Sequence, residues 1–231
     1  MGGQACVLHG AMETTRDLDL AVAIDAENLD KLKAALDELQ AYQIAVPPFE
    51  KEFLARGHAV HFRCRHPEAA NLRIDVMTVM RGVDEIETIW SRRKTFEIGQ
   101  GEGVDVIAIE DLVRAKKTQR DKDWPMIRRL VEVDYYSHEG QPSEEKVDFW
   151  LREARSPEHL IEIAKRFPER AAILMEMRPL LKDAINENRE ALMTGLLQEE
   201  LNEREKDRQY WLPLRQELEQ ARHTKKDKEV I

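Results

Sequence analysis

The segment that most constrains the fold is residues 17–24, DLDLAVAI. Apart from Asp19 it is apolar from Leu18 to Ile24, and a helix-like pattern follows it. Such a run is typical of a buried strand. Because side chains alternate along a strand, Asp17 and Asp19 point to the same face, a few ångströms apart. Two like charges this close repel each other, and a bound cation relieves the repulsion.

A D-x-D pair is a weak signal by itself, since most such pairs are solvated surface or helix-capping residues. Its surroundings strengthen the metal interpretation. Gly2 and Gly3 begin a segment of small residues that ends at Gly10, and Thr15 follows shortly before the acidic pair. Glycines let a backbone pass close to a phosphate and donate amide groups to it.

The run from Gly2 to Leu20, GG-x-A-x(3)-HG-x(4)-T-x-DLDL, resembles the signature of the nucleotidyltransferase superfamily. That superfamily has the DNA-polymerase-beta-like fold. Within it, the chain is most similar to small bacterial proteins related to toxin-type nucleotidyltransferases. It departs from their pattern at Glu13, where relatives often carry a basic residue.

The resemblance implies a site for a nucleoside triphosphate such as ATP. Gly2, Gly3 and Thr15 would hold the phosphates. Asp17 and Asp19 would bind the divalent ions that carry the triphosphate, with two magnesium ions expected.

A third carboxylate, Asp75, lies in the second of two alternating segments, residues 60–64 and 72–77, that we expect to pair as antiparallel strands. Acids are depleted in strands, so Asp75 needs a reason to be there. It could lie on an exposed face, paired with Arg73 or Arg63. We favour the alternative implied by the resemblance, in which Asp75 completes the metal site beside the D-x-D strand and helps to deprotonate the acceptor.

A helix-like run from Ile109 to Lys116 precedes the sequence RDKD at 120–123, which is also similar to the family pattern. The resemblance implies that Lys116 contacts a phosphate or the nucleobase. A solvated lysine on an amphipathic helix explains it equally well. We expect Asp123 to cap the next helix, with Pro125 in its first turn.

The function implied by the resemblance is metal-dependent transfer of a nucleoside monophosphate to an acceptor hydroxyl, with release of pyrophosphate. The acceptor stays open among transfer RNA, a protein and a small molecule. The competing hypothesis is an inactive nucleotidyltransferase-like binding or regulatory module, for example in a toxin–antitoxin pair, and Glu13 favours it. A magnesium-dependent phosphohydrolase is less favoured, because His9 is the only histidine near the acidic strand in sequence.

The amino-acid composition limits the classes of molecule that the protein is expected to bind. The net charge of −9 argues against a broad nucleic-acid-binding surface, although local basic patches occur at residues 92–94 and 114–122. No apolar run approaches the ~18 residues that a membrane span needs. The two cysteines, Cys6 and Cys64, lie in apolar stretches, as in proteins of a reducing cytoplasm.

The pattern predicts an α+β fold, with a small mixed sheet flanked by helices and then an all-helical C-terminal region. We place the boundary at residues 137–143, SHEGQPS, which gives a nucleotidyltransferase-like domain at 1–136 and a helical region at 143–231. Predicted helices in the helical region cover 144–155, 157–166, 168–192 with a break at Pro179, and 194–222.

The last predicted helix carries an apolar stripe within an otherwise charged sequence. Its members are Leu196, Leu197, Leu201, Trp211 and Leu214. A stripe this apolar needs a partner, so we expect it to pack against the first domain or against a second copy in a homodimer.

One further expectation concerns the start of the chain. In the resembled fold a helix and a strand precede the glycine pair, and that strand lies beside the D-x-D strand. Met1 stands directly before Gly2, so this first strand is missing here. We expect either that the natural reading frame begins upstream or that another segment covers the open sheet edge.

Overall fold

The computed structural model describes residues 1–12, 14–99 and 101–229, and it has the predicted α+β fold. The chain forms two compact units. The first comprises Met1–Leu8, Met12–Ala115 and Gln209–Ile231, and the second comprises His9–Ala11 and Lys116–Arg208.

These units differ from the division that we placed at residues 137–143. The polar segment there is a turn between two helices of the second unit, and it does not separate domains. The helices on either side are joined by a hydrogen bond of 2.7 Å from Trp150 Nε1 to the buried carboxylate of Asp134.

The first unit contains a four-stranded sheet, a two-stranded hairpin and short helices. Its elements in chain order are α1 (Gly2–Leu8), β1 (Asp17–Ala21), α2 (Ala26–Glu38), β2 (Tyr42–Gln43), α3 (Lys51–Ala55), β3 (Val60–Arg63), β4 (Arg73–Met77), α4 (Ile86–Ser91), β5 (Lys94–Gly99), β6 (Glu102–Val106) and α5 (Ile109–Ala115). The strand order of the larger sheet is β1-β4-β3-β2. β1 runs parallel to β4, and the other neighbours are antiparallel, so the sheet is mixed as predicted.

One face of this sheet forms the core of the first unit. Ile74 and Val76 of β4 are buried there with Leu29 and Leu36 of α2. Asp25 caps α2, since its carboxylate accepts a hydrogen bond of 2.9 Å from the Asn28 amide.

The second unit consists of helices. They are α6 (Asp123–His138), α7 (Glu144–Glu153), α8 (Pro157–Arg166), α9 (Pro168–Leu174), α10 (Leu181–Ile185) and the first part of α11 (Arg189–Glu229). The predicted break at Pro179 is present, because α9 ends before it and α10 begins after it. In the described part of the chain, no helix is both long and apolar enough to cross a membrane.

The apolar stripe of the last helix divides between the two units. From Gln209 onward, α11 belongs to the first unit, where Leu214 is buried. There Glu217 forms ion pairs of 2.6 Å with Arg56 and 2.7 Å with His58. This part of the helix therefore packs within the first unit. Packing on the first domain was one of the two expectations for the apolar stripe, the other being a homodimer.

Candidate functional site

The carboxylates predicted from the sequence meet on the sheet face opposite the core. In the register of the parallel pair, Asp19 of β1 lies directly opposite Asp75 of β4. On the other side of β4, His61 of β3 lies opposite Asp75. These three side chains therefore form one row across three neighbouring strands.

A second row lies two residues away on the same face. It consists of Asp17, Arg73 and Arg63, again on β1, β4 and β3. Side chains two apart in a strand share a face, so the two rows are adjacent. We call these six residues the polar face. It carries three carboxylates, two guanidinium groups and one imidazole.

Asp75 is the best-connected member of the polar face. Its Oδ1 accepts hydrogen bonds of 2.8 Å from Arg73 Nε and 2.8 Å from His61 Nδ1. Burial raises the pKa of Asp75, but the hydrogen bonds from His61 and Arg73 outweigh burial, and the pKa lies below its usual value. An ionised Asp75 can only accept, so His61 Nδ1 is the donor in this hydrogen bond.

Arg73 lies among all three carboxylates. Its pKa is raised mainly by the hydrogen bond to Asp75, with burial acting against this and with further contributions from the charges of Asp75, Asp17 and Asp19. Its Nη2 also lies 3.3 Å from His61 Nδ1. The sequence left two explanations for Asp75: an exposed face with an arginine partner, or a metal site. The pairing with Arg73 is present, but the face is not exposed, because the Asp75 side chain is only 14% exposed.

Gly2 and Gly3 approach the acidic strand closely. The Gly3 amide donates a hydrogen bond of 3.3 Å to Asp19 Oδ2, and the Met1 amine donates one of 2.7 Å to the Asp19 carbonyl. A Cβ atom on Gly2 would lie 1.9 Å from Asp19 Oδ2, and one on Gly3 would lie 2.5 Å from Thr15 Oγ1. The two glycines are the first residues of α1, a helix of seven residues.

The donor chemistry of the polar face suits a hard cation. Asp17 and Asp19 offer carboxylate oxygens, and Oδ2 of Asp75 has no hydrogen-bond partner among the described residues. No group of three or more His, Cys, Asp or Glu side chains in the described ranges is arranged to hold a metal ion. Magnesium is usually held by one or two carboxylates together with phosphate oxygens of a substrate. Asp17 and Asp19 are therefore of the kind and number that magnesium takes from a protein in such complexes.

Lys116 lies in the second unit, in an ionic cluster around the buried carboxylate of Asp123. Its Nζ lies 3.1 Å from Oδ1 of Asp123, whose Oδ2 accepts from Thr118 Oγ1 at 2.6 Å and Arg120 Nε at 2.7 Å. Burial raises the pKa of Asp123, but these partners outweigh burial and lower it. The expectation that Asp123 caps α6 is wrong: it is the first helical residue, Lys122 precedes it, and its carboxylate is occupied by the cluster.

Sequence reasoning missed two members of the polar face. The sequence did not single out His61, and Arg63 entered only as an alternative partner of Asp75. Both alternate with the buried Val60 and Phe62, so the pattern did predict their face. It did not predict which residues of the neighbouring strands lie opposite them. Glu13, the departure from the family pattern, lies outside the described residues.

The comparisons with known proteins give no family. No family model matches the chain, and no curated protein is significantly similar to it. The case for a function is therefore made from the motif residues and their geometry.

Proposed function

We propose that the protein is a magnesium-dependent nucleotidyltransferase that moves a nucleoside monophosphate from a triphosphate to an acceptor hydroxyl and releases pyrophosphate. The observation that supports this most is the register of β1 and β4. It sets Asp19 against Asp75, with Asp17 on the same face. Residues distant in sequence thus form one group of carboxylates.

In this proposal Asp17 and Asp19 hold the metal, and Asp75 contributes through Oδ2. When bound, magnesium neutralises charge on the phosphates and favours in-line displacement. Arg73 and His61 fix the Asp75 carboxylate and keep it ionised. A carboxylate with a lowered pKa is a poor proton acceptor near neutral pH, so Asp75 is better suited to holding the cation than to deprotonating the acceptor.

Arg63 and the glycines supply complementary contacts for the phosphates. Arg63 has no ion-pair partner among the described residues, and its planar guanidinium group matches phosphate oxygens in geometry and charge. Gly2 and Gly3 keep space free beside Asp19 and Thr15, because any side chain at either position would collide with them. The polar face can thus hold cation and anion side by side, as a metal triphosphate requires.

The binding test is calorimetry with Mg-ATP. The double variant Asp17→Asn with Asp19→Asn should bind at least about tenfold more weakly than the parent protein, because it lacks both charged oxygen donors. Asp25→Asn is the matched control, since it removes a carboxylate of the same unit that caps α2. Equal binding by the double variant and the parent would show that the site assignment is wrong.

The transfer test uses each labelled triphosphate with magnesium and a cell extract. The labelled fraction, whether RNA, protein or small molecule, identifies the class of acceptor. Tight binding without labelled product in any extract would favour the inactive binding module instead.

A further inference from the structure

The row of side chains formed by Asp17, Arg73 and Arg63 continues onto β2. Tyr42 of β2 lies directly opposite Arg63 in the antiparallel pairing, so its ring is on the same face of the sheet. β2 is the last strand of the sheet, and both of its residues are exposed. The polar face is therefore bordered by an aromatic side chain at an open edge.

An arginine packs against this ring. The guanidinium carbon of Arg65 lies 4.1 Å from the centre of the Tyr42 ring, which is a cation–π contact. Tyr42 is 39% exposed, and Arg65 is also exposed. We call these two residues the edge pair. It presents a ring and a positive charge at the surface, next to the polar face.

The charge of Arg65 is not neutralised within the described part of the chain, where no ion-pair partner of this residue is found. A similar contact elsewhere in the first unit differs in this respect. Arg93 lies 4.0 Å from the centre of the Trp90 ring, but its Nε is also 3.1 Å from a carboxylate oxygen of Asp105. The guanidinium N–H groups of Arg65 are therefore available to an anionic ligand.

An arginine and an aromatic ring on an open sheet face suit a single-stranded nucleic acid. Bases stack on aromatic rings and on guanidinium groups, and guanidinium N–H groups bind phosphates. We propose that the edge pair binds the single-stranded end of an RNA, with a base against Tyr42 and the adjoining phosphate on Arg65. The role of this RNA as the acceptor rests on the proposed function.

The strand order allows such an RNA to reach the carboxylates. Neighbouring strands lie ~4.8 Å apart, and β3 separates β2 from β4, so the edge pair is about 10 Å from the strand that carries Asp75. A short stretch of nucleotides spans this distance. A strand held at the edge pair can therefore place its terminal hydroxyl over Asp75 and Asp19.

The charge of the whole chain limits the size of this contact. The net charge of −9 repels a polyanion over most of the surface, so binding depends on a few phosphate contacts near the edge pair. Each phosphate contact of a single strand contributes about −0.7 to the slope of the logarithm of the binding constant against the logarithm of the salt concentration. We therefore expect weak binding with a slope of about −0.7 to −1.4.

The binding test is fluorescence anisotropy of a short labelled RNA with the full chain, without magnesium or triphosphate, at several salt concentrations. Tyr42→Ala should weaken binding at least about fivefold, because it removes the stacking ring, whereas Tyr42→Phe should bind within about twofold of the parent. Arg65→Ala should reduce the steepness of the salt slope by about 0.7. Trp90→Ala with Arg93→Ala is the matched control, since it removes the other arginine–aromatic contact, and it should bind like the parent.

Three results of this test overturn the proposal. They are a parent protein that does not bind the RNA, a Tyr42→Ala variant that binds as tightly as the parent, and a control variant that loses as much affinity as Tyr42→Ala. Displacement of the RNA by AMP at an equal concentration also overturns it, because a single nucleotide would then occupy the edge pair.

A transfer assay separates this proposal from the proposed function. With labelled triphosphate, magnesium and the RNA, Tyr42→Ala should raise KM for the RNA at least about fivefold and leave KM for the triphosphate unchanged. The double variant Asp17→Asn with Asp19→Asn should abolish transfer and still bind the RNA. Binding that depends on Tyr42, without transfer by the parent, supports the edge pair as an RNA site and contradicts the proposed function. Transfer to RNA that is unaffected by Tyr42→Ala overturns the edge pair.

Discussion

The polar face of the first unit and the interior of the second unit hold their charges in different ways. In the second unit, Asp134 is 4% exposed and accepts from both Lys146 Nζ and Trp150 Nε1 at 2.7 Å. On the polar face, Asp17 is exposed, and Arg63 has no ion-pair partner among the described residues.

This difference separates structural charges from those available to a ligand. A buried charge must have its hydrogen bonds satisfied within the protein, because losing them without compensation is costly. Arg178 shows the same pattern as Asp134, since its guanidinium group donates to the carbonyls of Leu151 and Ala154 and pairs with Glu199. A half-exposed charged group that has polar atoms without a partner in the protein can exchange its bound water for a ligand.

The largest expected effect is on Asp134. Asp134→Ala removes a buried carboxylate that accepts from both Lys146 Nζ and the indole N–H of Trp150, so we expect a loss of about 3–5 kcal/mol in the free energy of unfolding. Urea denaturation measures it. Asp134→Asn, which keeps an acceptor for Trp150, should lose less. An Ala variant as stable as the parent would contradict the structural role.

The second prediction concerns pH and His159, which is 4% exposed and whose Nε2 has no partner in the described part of the chain. Burial lowers its pKa, more than the charges of Glu132 and Glu162 raise it, so the folded protein keeps the imidazole neutral. Unfolding then takes up a proton below the ordinary pKa of about 6.5. Stability should fall as the pH falls below that value, by at most about 1.4 kcal/mol per pH unit.

The variant His159→Phe separates this contribution from the rest. It should remove this part of the pH dependence, because phenylalanine can keep the ring contacts with Tyr135 and Tyr136 without titrating. Urea midpoints measured between pH 7.5 and pH 5.5 check it. An unchanged slope in the variant would mean that other groups cause the pH dependence.

The third prediction compares two glycines with left-handed backbones. Gly2 has φ +66° and Gly82 has φ +74°, so alanine at either position is strained by about 1 kcal/mol. Only Gly2→Ala also forces a Cβ atom against Asp19. We expect Gly2→Ala to weaken Mg-ATP binding at least about tenfold, and Gly82→Ala to leave binding unchanged, as measured by calorimetry.

The smallest expected effect is on the stability of Asp17→Asn. Asp17 is exposed, and we expect a change within about 0.5 kcal/mol, in contrast to Asp134→Ala. Thermal denaturation measures it. A loss as large as that of Asp134→Ala would remove the distinction between the two regions.

Local patterns predicted most elements but not the units. The alternation of apolar and polar residues predicted β3 and β4. Composition could not separate a turn inside a unit from a linker between domains, because both are polar and rich in turn-forming residues. Only tertiary contacts such as Asp134 to Trp150 show that residues 137–143 lie within one unit.

The candidate site was predicted in part. The alternation of side chains along a strand predicted the sheet face on which Asp17, Asp19 and Asp75 lie. The resemblance implied that their strands are neighbours. Register is a property of the assembled sheet, so the row formed by Asp19, Asp75 and His61 could not be read from any one segment.

The parallel pairing of β1 with β4 has a consequence for the order of folding. β3 and β4 are joined by a short connection, whereas α2, β2, α3 and β3 all lie between β1 and β4 in the chain. Closing the longer loop costs more chain entropy, so the contact of His61 with Asp75 should form before Asp19 arrives beside them. Under the proposed function, the appearance of Mg-ATP binding during refolding would report the pairing of β1 with β4.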